Sequence, residues 1–312
     1  MELTLAVTRR LPPAVEARAR QTYRVVQDEL DGPRTAADLL RLTEHADALL
    51  CCPAERLDAA TVAALPARVK VVATFSVGMD HLDLPALAAR QIAVVNTPDV
   101  LSRATAELSL LLMLMAGRRA GEGERLLRAG QWSGWHPTHM MGTGIAGRNL
   151  GIFGMGRIGR ELAAMARGLS MPVHYLNRTR LDPSLEDGAV FHPNEQTFLP
   201  MCDVLSLNAP GGAGTRHWLN AARIALLPHG AIVVNAARGS LIDDTALIGA
   251  LRSGRVAAAG LDVYDGEPRV DPGFLALETV VLLPHLGSAT VATRDAMGFA
   301  ALDGIDAALH PT

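Results

Sequence analysis

Short runs of apolar, mostly β-branched residues alternate along the chain with stretches of helical periodicity. Strands alternating with helices predict an α/β fold with parallel sheets. The strands are too many for one small sheet and fall into an early and a later set, so we expect two domains. The runs predicted as strands are 3–7, 48–50, 69–74 and 93–96, followed by 150–153, 173–176, 204–207, 232–235, 258–261 and 280–283.

The segment between the two sets of strands differs from both. Residues 102–119 have a helical pattern, and residues 121–147 are rich in Gly, Trp, His and Met without a clear period. Such a segment is typical of a domain boundary followed by an extended arm. The length of 312 residues also favours two domains, because one hydrophobic core usually stops growing at a smaller size.

Composition and charge narrow the class of protein. Hydrophobic residues make up 49% and charged residues 20% of the chain, which argues against long disordered tracts. The net charge of -3, without a basic tail, indicates no nucleic-acid surface, so we expect small-molecule partners. The three cysteines form no CxxC pair, and we find no signal-peptide pattern or apolar run long enough to span a bilayer. We therefore expect a cytoplasmic protein with no membrane partner.

A glycine-rich motif follows the strand predicted at 150–153. Gly154, Gly156 and Gly159 form a GxGxxG pattern directly before a helical stretch. Glycine permits a tight turn, close approach of the backbone to a pyrophosphate, and packing of the helix against the strand. Free N–H groups at the helix N-terminus can then hold phosphates. The motif alone is also found in simple turns, but strand, turn, helix and next strand together predict a dinucleotide site.

The next predicted strand ends without the acidic residue that NAD-binding folds usually carry. Its sequence is His174-Tyr-Leu-Asn-Arg-Thr-Arg180, and we place Leu176 where the acid would stand. An acid there binds the ribose 2′-hydroxyl of NAD, whereas NADP needs positive charge for its 2′-phosphate. Arg178 offers a planar fork of donors, and Asn177 and Thr179 add neutral hydrogen bonds. The stretch favours NADPH, with NADH possible; the alternative is an ordinary solvated loop.

Three later motifs each place a polar side chain beyond a predicted strand. They contain Arg238, Glu267 and His285. Because parallel strands share one carboxyl edge, where open α/β sheets bind ligands, we expect these side chains to converge. Such a trio suits reduction of a 2-oxo acid by hydride transfer. His285 would protonate the carbonyl oxygen, Glu267 would stabilise the imidazolium, and Arg238 would bind the substrate carboxylate.

Six ordered stretches resemble the D-isomer-specific 2-hydroxyacid dehydrogenase family over nearly the whole chain. They are 77–83, 96–99, 150–159, 235–239, 262–268 and 284–288. The resemblance implies that Arg238, Glu267 and His285 are catalytic and that the product is a D-2-hydroxy acid. Residues 177–179 and the arm at 132–137 are similar to the NADPH-preferring glyoxylate and hydroxypyruvate reductase branch.

The resemblance also implies an architecture of two doubly wound parallel-sheet domains with a cleft between them. A flavodoxin-like substrate-binding domain would comprise residues 1–98 and 288–312, so that the last helix returns to it. A Rossmann-like NAD(P)-binding domain would comprise residues 99–287, including a dimerisation helix and arm at about 102–147. In the implied homodimer, Trp135 of the partner subunit either closes the substrate pocket or, with Trp132, only anchors the dimer.

Further site residues follow from the resemblance. The substrate set is Val77 and Gly78 through their N–H groups, Leu101, Arg238, His285 and Trp135 of the partner subunit. The cofactor set is Gly154, Gly156, Arg157, Ile158, Gly159, Asn177, Arg178, Thr179, Ala209, Pro210, Thr215, Ala236, Ala237, Arg238, Asp262, His285 and Gly287. Asp262 is expected at the nicotinamide carboxamide. The loop at 208–214 departs from many relatives, which carry a His or Cys before the proline and Thr-Pro-Glu after it.

Other functions are excluded or stay open. A short-chain dehydrogenase needs a tyrosine four residues before a lysine, and the only lysine, Lys70, has none. Formate dehydrogenases pair the histidine with a glutamine, so the glutamate at position 267 argues against formate oxidation. Phosphite oxidation stays open. Phenylpyruvate and keto sugar acids stay open as substrates, and a dinucleotide-sensing corepressor is the alternative from another class. We expect no metal site, because the acid is a protein group and no His pair has zinc-like spacing with a carboxylate.

Overall fold

The computed structural model describes residues 2–29 and 31–310 and divides into two compact units. Unit 1 comprises Met1–Leu101 and Ser288–Thr312, and unit 2 comprises Ser102–Gly287. Each unit is built on a parallel sheet, which confirms the predicted fold class. The binding roles assigned to residues 1–98 with 288–312 and to 99–287 stay predictions. In the described ranges, no helix is both long and apolar enough to cross a bilayer.

Unit 1 contains a parallel sheet with helices on both faces. The strands are β1 (Thr4–Val7), β2 (Arg24–Val26), β3 (Ala48–Cys51), β4 (Val71–Thr74) and β5 (Ala93–Val95). The helices are α1 (Pro13–Thr22), α2 (Ala36–Thr43), α3 (Ala59–Ala64), α4 (Leu84–Ala89) and, late in the chain, α13 (Val291–Leu309). The strand order β2-β1-β3-β4-β5 is that of flavodoxin-like folds. Every residue of β1, β3 and β4 is buried, as expected for parallel strands covered on both faces.

Unit 2 contains a longer parallel sheet. Its strands are β6 (Leu150–Phe153), β7 (Val173–Leu176), β8 (Val190–His192), β9 (Val204–Leu207), β10 (Ala231–Asn235), β11 (Val256–Leu261) and β12 (Val280–Leu282). Its helices are α5 (Ser102–Gly117), α6 (Ala120–Arg128), α7 (Arg157–Arg167), α8 (Pro183–Glu186), α9 (Glu195–Phe198), α10 (Ala221–Ile224), α11 (Asp244–Arg252) and α12 (Pro272–Leu275). The order β12-β11-β10-β9-β6-β7-β8 contains the Rossmann arrangement, in which the winding direction switches between β6 and β9.

Two edge strands and one helix differ from what we predict from the sequence pattern. The edge strands β2 and β8 have three residues each and are partly exposed, so neither shows a clear apolar run. Helix α6 occupies the first part of the segment that we predict as an arm. Its two glycines lower helix propensity and none of its residues is buried, so the apolar signal of a helix is weak.

Candidate active site

The predicted catalytic and cofactor residues of unit 2 lie at the carboxyl edge of its sheet. They follow β6, β7, β9, β10, β11 and β12, on both sides of the switch point between β6 and β9, where open α/β sheets bind ligands. The buried members are Gly159, Ala209, Ala236, Asp262 and Gly287. The half-buried or exposed members are Gly154, Gly156, Arg157, Ile158, Asn177, Arg178, Thr179, Pro210, Thr215, Ala237, Arg238, Glu267 and His285.

The turn after β6 has the geometry of a dinucleotide cradle. Gly154 has a φ of +97°, and a Cβ there would lie 2.5 Å from the backbone nitrogen of Ala209. A Cβ on Gly159 would lie 2.7 Å from the Gly154 carbonyl oxygen, so the helix packs closely on the turn. At Gly156, the N-cap of α7, a Cβ would meet nothing within 4 Å. This open space above the N-terminus of α7 fits the pyrophosphate of a dinucleotide.

The end of β7 corrects one detail of the sequence interpretation. Leu176 is only 7% exposed and packs in the core. The Asn177 side chain instead reaches the glycine-rich turn, where its Oδ1 accepts a hydrogen bond from the Met155 N–H at 2.7 Å. Our placement of the missing acid at Leu176 is therefore wrong by one residue. Arg178 and Thr179 follow as exposed side chains.

Glu267 and His285 form a hydrogen-bonded pair. His285 Nδ1 lies 2.8 Å from Glu267 Oε2, and the Tyr264 N–H donates to Glu267 Oε1 at 3.0 Å. Burial by itself raises the pKa of Glu267, but the hydrogen bond and charge of His285, the Tyr264 N–H and the Arg238 charge outweigh it and lower the pKa. The pair therefore consists of an ionised carboxylate and an imidazole that contacts this carboxylate through Nδ1. The other ring nitrogen, Nε2, takes no part in the contact.

Asp262 fixes the backbone around His285. Its carboxylate accepts hydrogen bonds from the N–H groups of Leu286 at 2.7 Å and Gly287 at 2.8 Å, and its carbonyl accepts from the His285 N–H at 2.9 Å. These bonds hold His285 at a φ of +56°, which is uncommon for a residue other than glycine. The Asp262 side chain is buried, and burial raises its pKa. The structure thus gives Asp262 a positioning role, and its contact with a cofactor stays a prediction.

Arg238 is half-buried after β10, beside the segment that carries Glu267. The Asn235 side chain donates to the Arg238 carbonyl at 2.8 Å and so shapes the turn. Gly239 lies against the Tyr264 backbone, because a Cβ on it would be 1.8 Å from the Tyr264 carbonyl carbon. The absence of a side chain at Gly239 therefore allows the two segments to approach closely. The Arg238 charge makes a minor contribution to the lowered pKa of Glu267.

The loop after β9 makes contacts that the sequence analysis missed. Arg216 Nη2 donates to Asp265 Oδ2 at 2.9 Å, and His217 Nε2 lies 3.2 Å from the same oxygen. The Thr215 hydroxyl donates to the Pro210 carbonyl at 2.8 Å and closes the loop. These bonds tie the predicted cofactor loop to the β11–β12 connection. The sequence contains Arg216 and Asp265 as charged residues, but their spacing does not predict that they form an ion pair.

In unit 1, the predicted contacts to a substrate carboxylate follow β4. The Ser76 hydroxyl donates to the Gly78 carbonyl at 2.6 Å, and the Asn96 side chain donates to the Val77 carbonyl at 2.9 Å. Within residues 2–29 and 31–310, no protein acceptor is bonded to the N–H groups of Val77 and Gly78. Two adjacent donors of this kind fit an anion. Leu101 is 8% exposed and offers little surface within the unit.

The sequence matches a family model described as "D-isomer specific 2-hydroxyacid dehydrogenase, NAD binding domain" over residues 110–287. This range covers most of unit 2. Glycerate dehydrogenase from Hyphomicrobium methylovorum is 40% identical over 305 residues, which cover 97% of this chain and 95% of that relative. The similarity therefore includes both units.

Two solved structures have the same fold over almost their whole length. A D-isomer-specific 2-hydroxyacid dehydrogenase structure from Polaromonas sp. JS6 66 has a TM-score of 0.93 and 44% identity, covering 98% of this chain and 96% of that one. An NADPH-dependent glyoxylate/hydroxypyruvate reductase from Sinorhizobium meliloti, in complex with NADP and malonate, has a TM-score of 0.89 and 31% identity, with coverages of 100% and 95%. These findings confirm the resemblance inferred from the motifs. The chain belongs to the D-isomer-specific 2-hydroxyacid dehydrogenase family and is an oxidoreductase that uses a nicotinamide cofactor.

Proposed function

We propose that the protein reduces a small 2-oxo acid, such as glyoxylate or hydroxypyruvate, to the D-2-hydroxy acid and prefers NADPH over NADH. The observation that carries the proposal is the 2.8 Å pair of Glu267 and His285, at the same sheet edge as the glycine cradle. The exposed Arg178 supports the cofactor preference, because it follows Asn177, which stands where we place the acid of NAD-binding folds. The NADP complex of the Sinorhizobium meliloti relative is consistent with it.

Each residue of the trio has a separate task in the proposed reaction. The nicotinamide, when bound, supplies the hydride to the carbonyl carbon. Arg238 orients the substrate carboxylate, ideally through two hydrogen bonds. His285 donates a proton from Nε2 to the carbonyl oxygen as negative charge develops there. Glu267 holds Nδ1, which fixes the ring orientation and stabilises the imidazolium.

Replacing Glu267 by glutamine is expected to move the pH profile of reduction toward acid. Glutamine keeps an acceptor near Nδ1 but removes the negative charge that stabilises the imidazolium. Since reduction needs the protonated histidine, the alkaline limb of the kcat profile should move down by about one pH unit or more. The lowered pKa of Glu267 means that the carboxylate is ionised throughout the neutral range. A profile that coincides with that of the original enzyme would contradict the role of the pair.

A steady-state panel tests the substrate and the cofactor together. Glyoxylate, hydroxypyruvate, phenylpyruvate and a 2-keto sugar acid are each measured with NADPH and with NADH, and phosphite oxidation is measured with NADP and with NAD. We expect the highest kcat/KM for glyoxylate or hydroxypyruvate with NADPH. A larger acid at the top would change the substrate assignment. Absence of turnover with every 2-oxo acid would refute the proposed reaction and favour phosphite oxidation or the sensing role.

We further propose that the protein is a homodimer formed through α5, α6 and the arm. Large apolar side chains are exposed there, and isolated domains rarely leave such a surface uncovered. These side chains are Leu111, Leu114, Leu127, Trp132, Trp135 and Met141. A second copy is the occupant that the family resemblance implies. Two alternatives stay open: Trp135 of the partner subunit closes the pocket, or it only anchors the dimer. The mass of a single chain in sedimentation equilibrium would contradict both.

A further inference from the structure

The loop that follows β7 is held by hydrogen bonds at both ends. At its start, Asn177 Oδ1 accepts from the Met155 N–H of the glycine-rich turn at 2.7 Å. At its end, the Leu181 N–H donates to the Tyr175 hydroxyl at 3.0 Å. Tyr175 is fully buried in β7, so this second anchor connects the loop to the core of unit 2.

Arg180 belongs to the second anchor. Its Nε and Nη2 donate to the two carboxylate oxygens of Glu186 at 2.8 and 2.9 Å. The Tyr175 hydroxyl donates to Glu186 Oε1 at 2.5 Å, so one carboxylate joins both side chains. The hydrogen bonds from Arg180 and Tyr175 lower the pKa of Glu186 to about 2, and the carboxylate is therefore ionised in the neutral range. The guanidinium of Arg180 is thus engaged within the protein.

Arg178 and Thr179 lie between the two anchors, and both are exposed. In the described part of the chain, Arg178 forms no salt bridge, in contrast to the bidentate pairing of Arg180. A loop fixed at both ends presents the intervening side chains with less loss of conformational entropy on binding. The anchors therefore give Arg178 a defined backbone position while leaving its guanidinium available.

We propose that Tyr175, Arg180 and Glu186 are positioning residues for cofactor selection: they hold the loop so that Arg178 meets the 2′-phosphate of NADPH. This inference rests on the proposed preference for NADPH. It separates the two arginines of the Arg-Thr-Arg stretch, which the sequence alone does not distinguish. One arginine recognises the phosphate, and the other fastens the loop that carries the first.

The test measures binding of two nucleotide probes by titration calorimetry, without substrate or turnover. Adenosine 2′,5′-bisphosphate carries the 2′-phosphate, and 5′-AMP lacks it. Glu186→Gln should raise the Kd of the bisphosphate about tenfold, the value of one well-placed charge-assisted hydrogen bond, and leave that of 5′-AMP nearly unchanged. Tyr175→Phe removes only the hydroxyl and should also raise the Kd of the bisphosphate selectively. It provides the test if the Glu186→Gln variant does not fold.

Asp187→Asn is the matched control. Asp187 is the neighbouring acid and also pairs with an arginine, Arg167, at 2.6 Å, but in the structure of residues 2–29 and 31–310 it forms no hydrogen bond or ion pair with residues 177–181. It should leave both Kd values unchanged. Equal weakening of both probes by Glu186→Gln and Tyr175→Phe, or no weakening, would overturn the inference.

Arg178→Ala separates failure of this inference from failure of the proposed NADPH preference. If Arg178→Ala weakens the bisphosphate selectively while the Tyr175 and Glu186 variants do not, only the positioning role fails. If Arg178→Ala leaves bisphosphate binding unchanged, the basis of the proposed preference fails, and the positioning role fails with it.

Discussion

Replacing His285 by alanine is expected to lower kcat for reduction of a 2-oxo acid by a factor of about 10² to 10⁴. The variant loses the imidazole that Glu267 Oε2 now holds at 2.8 Å, and with it the proposed proton donor. The hydrogen bonds that the Asp262 carboxylate accepts from the N–H groups of Leu286 and Gly287 do not involve the imidazole. The turn at His285 should therefore keep its conformation. Cofactor affinity should therefore change little, and the loss should appear in kcat.

The measurement combines steady-state kinetics with a fluorescence titration of NADPH. His229→Ala is the matched control, because His229 lies in unit 2 directly before β10, at the amino edge of the sheet and so opposite the site. It should leave kcat within about twofold, the range of ordinary surface substitutions. A His285→Ala variant with nearly normal kcat would remove the histidine from the mechanism. A variant with equal loss of cofactor binding and turnover would instead indicate a disturbed turn.

The elements that place the site could be predicted because they depend on local signals. Strand β6 is a short apolar run, and the glycines after it indicate a tight turn in which a larger side chain would clash with neighbouring backbone. Arg238, Glu267 and His285 could be grouped because parallel strands put their carboxyl ends on one edge. The hydrogen bond between Glu267 and His285 could not be deduced from these patterns, and neither could the close approach of the Arg238 segment to Tyr264 that Gly239 allows.

The contacts that hold the loops were beyond the sequence patterns for a different reason. Glu186 and Asp265 are acids in polar stretches, and nothing in their spacing selects an arginine partner. The structure shows that Glu186 is buried while Arg180 remains largely exposed, so the pairing is set by the packing of Tyr175 beneath the loop. The error at Leu176 has another origin: β7 ends where we predict, but Leu176 packs in the core, and the next side chain, Asn177, faces the glycine-rich turn.

The largest expected change in cofactor preference comes from combining Asn177→Asp with Arg178→Ala. Aspartate keeps an oxygen for the Met155 N–H, which Asn177 now bonds at 2.7 Å, and its second oxygen can bind the ribose 2′-hydroxyl of NADH. Its charge repels a 2′-phosphate, and loss of the Arg178 guanidinium removes the phosphate partner. We expect Arg178→Ala alone to raise KM for NADPH about tenfold or more, and the double variant to prefer NADH.

The deciding measurement is kcat/KM with each cofactor at a saturating concentration of one 2-oxo acid. Thr179→Ala serves as the control, because it shortens the neighbouring exposed side chain without changing any charge, and it should alter the NADPH to NADH ratio far less. If Arg178→Ala raises KM equally for both cofactors, the arginine supports the loop and does not select the phosphate. If the double variant also keeps its preference for NADPH, positive charge elsewhere must bind the phosphate, since a carboxylate next to it would otherwise repel NADPH and favour NADH.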